Sequence, residues 1–244
     1  MNILKDLAKS DEAAGSLGRH SLLLASLVGL LAALPVLRSV PGGGLRFSIL
    51  LCLVLTAAVY VSSRHRWTLV VAVLLGGGAI AAVALTESTG SMASRLASTS
   101  MGLGLLSLTI FLMLNALMRA ERVSQDTIIG GICVYLMIGL GFTLAYSLAI
   151  NLEPSALMQG GLPLGESIAD SSARSAKILY FSFVTLTTLG LGDITPSGEL
   201  AQMLVTGEAV IGQLYIAIFI ARLMSLYLAG DRERRQSSAS GRDG

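Results

Sequence analysis

The sequence predicts an all-α membrane protein, and three observations lead to this fold class. The 244 residues are 53% hydrophobic and only 13% charged, whereas soluble domains carry about 25% charged residues. The mean hydropathy is +0.74, and the apolar residues are concentrated in long stretches. Each stretch approaches the roughly 20 residues that a helix needs to cross the hydrocarbon core of a bilayer. A net charge of +2 gives no reason to expect a nucleic-acid partner.

The amino-terminal half is predicted to be a short segment followed by a helix bundle. Residues 1–20 form a cytoplasmic segment, either a small interfacial helix or a frayed terminus. Residues 21–122 contain four apolar spans and are predicted to form a four-helix bundle. Pro35 is expected to end or kink the first span, and the glycines at 76–78 allow either close helix packing or a local break. The spans cover residues 21–37, 45–61, 67–85 and 100–117.

Residues 123–230 are predicted to form a second domain with an outer helix, a re-entrant helix and an inner helix. The outer and inner helices cover residues 127–150 and 200–228. Residues 151–175 are polar and rich in proline and glycine, as in an extracellular loop. Residues 176–189 are too few to span the bilayer, so their backbone must be buried in protein or line an aqueous path. Residues 231–244 are predicted to be a disordered cytoplasmic tail.

Lysine and arginine placement predicts the orientation of these spans. With the amino terminus inside and six crossings, twelve of the 17 basic residues lie inside and five lie outside. The positive-inside rule therefore predicts a multi-pass plasma-membrane protein with both termini in the cytoplasm. Cys52 and Cys133 fall within spans and are expected to be apolar core residues. His20 and His65 lie at span edges and are expected to be interfacial.

The most informative segment is the run Thr188-Leu189-Gly190-Leu191-Gly192-Asp193. Glycine reaches backbone conformations that other residues avoid, so alternating glycines can align successive carbonyl oxygens along one segment. Four such segments around an axis can replace the water shell of a potassium ion. One chain carries one such segment, and we therefore expect a homotetramer.

The segment Tyr180-Phe181-Ser182-Phe183-Val184-Thr185-Leu186-Thr187-Thr188-Leu189-Gly190-Leu191-Gly192-Asp193-Ile194-Thr195-Pro196 resembles the pore segment of the potassium channel superfamily. The later runs Glu208-Ala209-Val210-Ile211-Gly212-Gln213-Leu214-Tyr215 and Ile220-Ala221-Arg222-Leu223 are similar to the inner helix of its bacterial six-helix members, which have a two-transmembrane-type pore. The resemblance is strong over about residues 176–228, and the four leading spans match only in number and topology.

This resemblance implies a role for each residue of the filter, the name used here for residues 188–192. The carbonyl oxygens of Thr188, Leu189, Gly190 and Leu191, with the Thr188 hydroxyl, are expected to coordinate potassium, and Gly192 completes the filter. The resemblance also implies residues that support the filter. Asp193 is expected to bond an aromatic residue of the pore helix, at Tyr180 or Phe181, and Val184 takes a position where some members keep an acid.

Three inner-helix residues keep alternative roles. Gly212 matches the hinge glycine of the superfamily, and its alternative is close helix packing. Gln213 is expected to line the water-filled cavity. Glu208 is an ionisable group within a span. It is expected to face pore-helix hydroxyls such as Thr185 or Thr187 in a structural role, or to lie nearer the ion path and make gating sensitive to pH.

The predicted function is passive conduction of potassium, with no catalytic role and no cofactor, and potassium is the permeant ion. Residues 100–117 contain no lysine or arginine, so steep voltage gating by a moving arginine helix is not expected. Most of the superfamily has tyrosine or phenylalanine where this chain has Leu191, so a weakly selective or non-selective cation channel is the alternative. A secondary transporter or a non-conducting subunit is a second alternative, although no internal repeat is apparent.

Overall fold

The structure, a computed structural model, describes residues 19–37, 43–62, 66–120, 124–167 and 171–240. These residues are mostly helical, which confirms the all-α prediction. The predicted segment 1–20 lies outside this part of the chain except for its last two residues. The elements in chain order are α1 (Arg19–Leu37), α2 (Gly43–Ser62), α3 (Arg66–Thr89), α4 (Met92–Met118), α5 (Gln125–Leu152), β1 (Leu157–Gln159), β2 (Leu162–Pro163), α6 (Leu164–Ser167), α7 (Ser171–Leu186), β3 (Ile194–Pro196) and α8 (Glu199–Ser240).

Four of the described helices are long and apolar enough to cross a membrane, which makes this a multi-pass membrane protein. They are Trp67–Thr89, Met92–Met118, Gln125–Leu152 and Glu199–Leu228. Helices α1 and α2 contribute shorter apolar stretches, His20–Ala32 and Ser48–Val59. The prediction of six crossings therefore stays a prediction for these two helices. Helix α1 ends shortly after Pro35, where the sequence predicts an end or a kink.

Helices α1 to α5 share one apolar core. Its most deeply buried side chains include Leu27, Leu55, Leu105 and Met113. Helix α3 runs without a break through the glycines at 76–78, so close helix packing is the alternative that the structure supports. A Cβ atom at Gly76 would lie 3.4 Å from the Thr56 hydroxyl and 3.5 Å from Leu105. Small residues at such contacts let helices approach closely in lipid.

A small three-stranded sheet, which was not predicted from the sequence, joins the loop before α7 to the segment after the filter. The strand order is β2-β1-β3, and both pairs are antiparallel. Strand β3 follows Asp193 directly, and its Thr195 pairs with Met158 of β1. Ile194 of β3 is buried in a second apolar core, which also contains Leu157 and Leu164. This sheet fixes the chain on the far side of the filter.

Helix α7 corresponds to the segment predicted to be re-entrant, and α8 corresponds to the predicted inner helix. Helix α7 covers Ser171–Leu186 and starts earlier than the predicted segment. Helix α8 continues to Ser240, so residues 231–240 are helical where the sequence predicts a disordered tail. Extending an existing helix needs no new nucleus, and arginine, glutamate and glutamine are good helix formers. Residues 241–244 lie outside the described part of the chain.

Candidate functional site

The filter, residues 188–192, has an alternating backbone conformation. The φ angles of Thr188, Gly190 and Gly192 are +57°, +58° and +77°. Thr188 is the one non-glycine residue with positive φ in the described part of the chain, and such residues often mark functional sites because the conformation is strained. The intervening Leu189 and Leu191 are 63% and 58% exposed. The filter is thus an extended, exposed segment with a left-handed residue at every second position.

The carboxyl end of α7 is bonded to the filter. The amides of Leu189 and Gly190 donate to the carbonyl oxygen of Val184, at 2.9 and 3.4 Å. The amide of Thr188 donates to the carbonyl oxygen of Thr185 at 2.8 Å. These bonds satisfy carbonyls that a helix end leaves without partners. Val184 therefore lies beside the filter, and its backbone oxygen is the group that contacts the filter.

The end of the filter next to Asp193 is bonded to α7. The Tyr180 hydroxyl donates to Oδ1 of Asp193 at 3.2 Å. Desolvation, the hydrogen bond and the charge of the aspartate raise the pKa of Tyr180. Phe181 instead is buried and meets the ring of Tyr146 edge-on, with 5.1 Å between ring centroids. Of the two predicted aromatic residues, Tyr180 is thus the one that contacts Asp193.

Helix α8 passes close to the Thr188 end of the filter. Gln213 is exposed, and its Nε2 donates to the Thr188 hydroxyl at 3.1 Å. Gly212 is buried, and a Cβ atom there would lie 2.3 Å from the carbonyl oxygen of Leu186, the last residue of α7. The Tyr135 hydroxyl of α5 donates to the same oxygen at 3.4 Å. The predicted Gly212 and Gln213 are therefore brought together with Thr188, and Gly212 is a close-packing position.

Glu208 lies away from the filter in a fully buried position between three helices. The Tyr146 hydroxyl of α5 donates to its Oε2 at 2.7 Å, and its Oε1 is 2.6 Å from the Ser182 hydroxyl of α7. The pore-helix hydroxyl that meets Glu208 is therefore that of Ser182, and the expectation of Thr185 or Thr187 was wrong. The hydroxyl of Thr187 instead donates to the carbonyl oxygen of Phe183 at 2.7 Å, within its own helix.

The opposite end of the bundle contains two polar contacts between helices. His20 of α1 bonds Asp126 of α5 through its ring nitrogen Nδ1, at 2.7 Å, and through its backbone amide, at 3.1 Å. Arg222 of α8 donates to carbonyl oxygens of Leu117, Met118 and Ala120 at the end of α4. These contacts place the start of α1, the end of α4, the start of α5 and the later part of α8 at one end of the bundle. His20 is thus interhelical as well as near a span edge.

Three residues of this region were not predicted from the sequence. The hydroxyl of Tyr135 bonds the carbonyl oxygen of Leu186, next to the filter. The hydroxyls of Tyr146 and Ser182 bond Glu208. A hydroxyl within an apolar span was the available signal, because a buried polar group in lipid needs a partner. Which partner each one has depends on how the helices pack. Among the described residues, no three His, Cys, Asp or Glu side chains are grouped to hold a metal ion.

Comparison with known proteins identifies the family of this region. Residues 166–229 match the sequence model of a family described as an ion channel. The match begins at the end of α6 and covers α7, the filter, β3 and α8 through its transmembrane part. A search of curated proteins finds no match for the chain. The match confirms the resemblance of the pore region to the potassium channel superfamily, whose members transport ions and are not enzymes.

Proposed function

We propose, for a chain whose residues 166–229 are an ion channel domain of the potassium channel superfamily, that four copies assemble around one axis and conduct potassium ions passively. The observation that carries this proposal is the filter backbone, with φ of +57°, +58° and +77° at Thr188, Gly190 and Gly192. Alternating left-handed residues allow consecutive carbonyl oxygens to face the same side. Rings of such oxygens replace the hydration shell of the ion.

Exposure of the filter and of Gln213 supports assembly around a shared axis. Leu189, Leu191 and Gln213 are exposed in the single chain, and the filter backbone lies between two membrane-crossing helices. Non-helical backbone at membrane depth must be buried in protein or line a water-filled path. Symmetry-related copies supply both conditions, because each copy covers its neighbour and the four filters surround the axis. Helix α8 also exposes a row of apolar side chains, at Met203, Val210, Leu214 and Ile218, that such neighbours and lipid can cover.

The two contacts at the far end of the bundle support the proposed topology. The start of α1 and the start of α5 meet at His20 and Asp126, and an even number of crossings separates these ends in the proposed arrangement. The excess of basic residues supports a cytoplasmic location for this end, in a plasma membrane. Asp193 then lies at the extracellular end of the filter. No lysine or arginine lies within residues 100–117, which supports conduction without steep voltage dependence.

Potassium flux into liposomes that contain the purified protein tests the proposal. We expect a potassium flux that barium blocks, and a reversal potential close to the potassium equilibrium value in mixed potassium and sodium. Leu191 motivates the second candidate, a weakly selective cation channel, because leucine lacks the aromatic ring that most of the superfamily places there. A reversal potential midway between the equilibrium potentials of potassium and sodium favours the weakly selective channel. Absence of any barium-sensitive flux contradicts channel function and returns the transporter or non-conducting subunit as alternatives.

A further inference from the structure

A chain of buried hydrogen bonds joins the outer helix, the inner helix and the pore helix. Tyr146 of α5, Glu208 of α8 and Ser182 of α7 are all fully buried. Tyr146 Oη lies 2.7 Å from Oε2 of Glu208, and Ser182 Oγ lies 2.6 Å from Oε1. The same Ser182 oxygen lies 2.7 Å from the carbonyl oxygen of Gly139 on α5. The chain therefore runs from α5 through α8 and α7 and back to α5.

The number of protons in this chain assigns the state of Glu208. A carbonyl oxygen only accepts, so the short contact between Ser182 and Gly139 needs the hydroxyl proton of Ser182. A serine hydroxyl has one proton to donate. The 2.6 Å contact between Ser182 and Oε1 then needs a proton from the glutamate side chain. Tyr146 donates to the other carboxyl oxygen, so every contact has one proton when Glu208 is a neutral acid.

An ionised Glu208 does not fit the same geometry. Ser182 would then have to donate either to the carboxylate or to Gly139, and the other pair of oxygens would lie in contact without a proton between them. An ionised carboxylate at a fully buried position also needs a cationic partner to offset its desolvation. The salt bridge found between described residues joins His20 and Asp126, and none involves Glu208.

Resting on the channel function proposed above, we propose that Glu208 is a neutral positioning residue that sets the placement of the pore helix. Its partner Ser182 lies on the last turns of α7, which ends at Leu186 immediately before the filter. The neutral acid donates to Ser182 and accepts from Tyr146, and α7 is thereby fixed to α8 and α5 near the filter. Glutamine reproduces both functions, because its amide donates through nitrogen and accepts through oxygen.

Two measurements on the full-length protein in liposomes test this inference. The first is the infrared difference spectrum between wild type and Glu208→Gln at neutral pH. We expect wild type alone to show the carbonyl band of a protonated carboxylic acid, and Glu199→Gln, at an exposed position of α8, to leave that band unchanged. A difference spectrum without this band, or with carboxylate bands in its place, overturns the inference whether or not the protein conducts.

The second measurement is the reversal potential in mixed potassium and sodium. We expect Glu208→Gln to keep the wild-type value, and Ser182→Ala to raise relative sodium permeability by roughly two- to tenfold, the factor that corresponds to losing one hydrogen bond. Glu208→Leu should act in the same direction. Ser147→Ala is the matched control, because that hydroxyl bonds a carbonyl of its own helix, at Thr143.

A Glu208→Gln channel with the same selectivity loss as Ser182→Ala contradicts the positioning role, and so does an unchanged Ser182→Ala channel. Ser182→Ala removes only one hydroxyl group, so this variant is sufficient for the test if Glu208→Leu does not fold. A wild-type protein without barium-sensitive flux refutes the proposed function instead, and the infrared measurement then still decides the state of Glu208.

Discussion

Alanine at Gly212 tests whether this glycine is a packing position between the inner helix and the pore helix. An added Cβ atom would lie 2.3 Å from the Leu186 carbonyl oxygen, 3.0 Å from its Cδ1 and 3.3 Å from its carbonyl carbon. Two of these atoms belong to the backbone at the end of α7, so relief requires movement of a helix rather than of a flexible side chain. Overpacking of this kind costs roughly 1–3 kcal/mol.

Gly207 on the same helix supplies the matched control. An alanine Cβ there meets no atom within 4 Å. Glycine to alanine within a helix otherwise stabilises by about 0.5–1 kcal/mol, and this gain is common to both variants. The difference in stability between Gly207→Ala and Gly212→Ala therefore isolates the clash with Leu186. We expect Gly212→Ala to be the less stable of the two by roughly 1–3 kcal/mol.

Unfolding of the purified variants by a denaturing detergent, followed by the fluorescence of the single tryptophan and by circular dichroism, measures this difference. Gly77→Ala in α3, another position with no atom within 4 Å, serves as a second control outside the pore region. Equal stability of Gly207→Ala and Gly212→Ala refutes the packing argument. Reduced opening of Gly212→Ala without loss of stability favours the hinge role that the resemblance implies.

Three further predictions concern contacts at the two ends of the molecule. Tyr180→Phe removes the hydrogen-bond donor to Asp193 and is expected to raise relative sodium permeability, measured from the reversal potential. The increase should be less than about tenfold, because the bond is partly exposed. An unchanged reversal potential argues that this bond does not support the filter. Arg222→Gln removes a cation from the carboxyl end of α4 and is expected to lower the free energy of unfolding by about 1–3 kcal/mol. The control Arg95→Gln, at an exposed position of that helix, should change it by less than about 0.5 kcal/mol. Equal effects of the two substitutions contradict a stabilising role of Arg222 at the end of α4. Asp126→Ala removes the acceptor of the His20 amide in the first turn of α1 and is expected to cost about 0.5–2 kcal/mol in the same unfolding assay. An unchanged free energy of unfolding contradicts this prediction.

The sequence predicted most of the pore region because local rules control it. Residues 188–193 can be interpreted without a structure, since alternating glycines and one carboxylate place strong restrictions on the backbone. The short helix before them followed from its length, because residues 176–189 are too few to cross a bilayer. The resemblance predicted a contact of Asp193 with Tyr180 or Phe181. In the structure Tyr180 makes this contact, because only the tyrosine has a hydroxyl to donate.

Long-range contacts could not be predicted in the same way. The sheet that joins β1 to β3 pairs residues on both sides of α7, and its strands are too short to show a period-two pattern. The partner of Glu208 depended on the rotation of α7 about its axis, which places Ser182 rather than Thr185 or Thr187 beside α8. The helical continuation of α8 beyond residue 230 was missed because composition alone does not show that a preceding helix supplies the nucleus.

The sequence by itself determined that this is a helical membrane protein with a glycine-rich filter, because hydropathy and glycine spacing act over a few neighbouring residues. The tertiary structure alone decided which hydroxyls meet Glu208 and that Gly212 contacts the end of α7. It also decided that α1 contacts α5 through Asp126 and that α4 contacts α8 through Arg222. In an apolar environment each buried polar group must find a partner, but the identity of that partner depends on helix rotation and separation, which no single segment of sequence specifies.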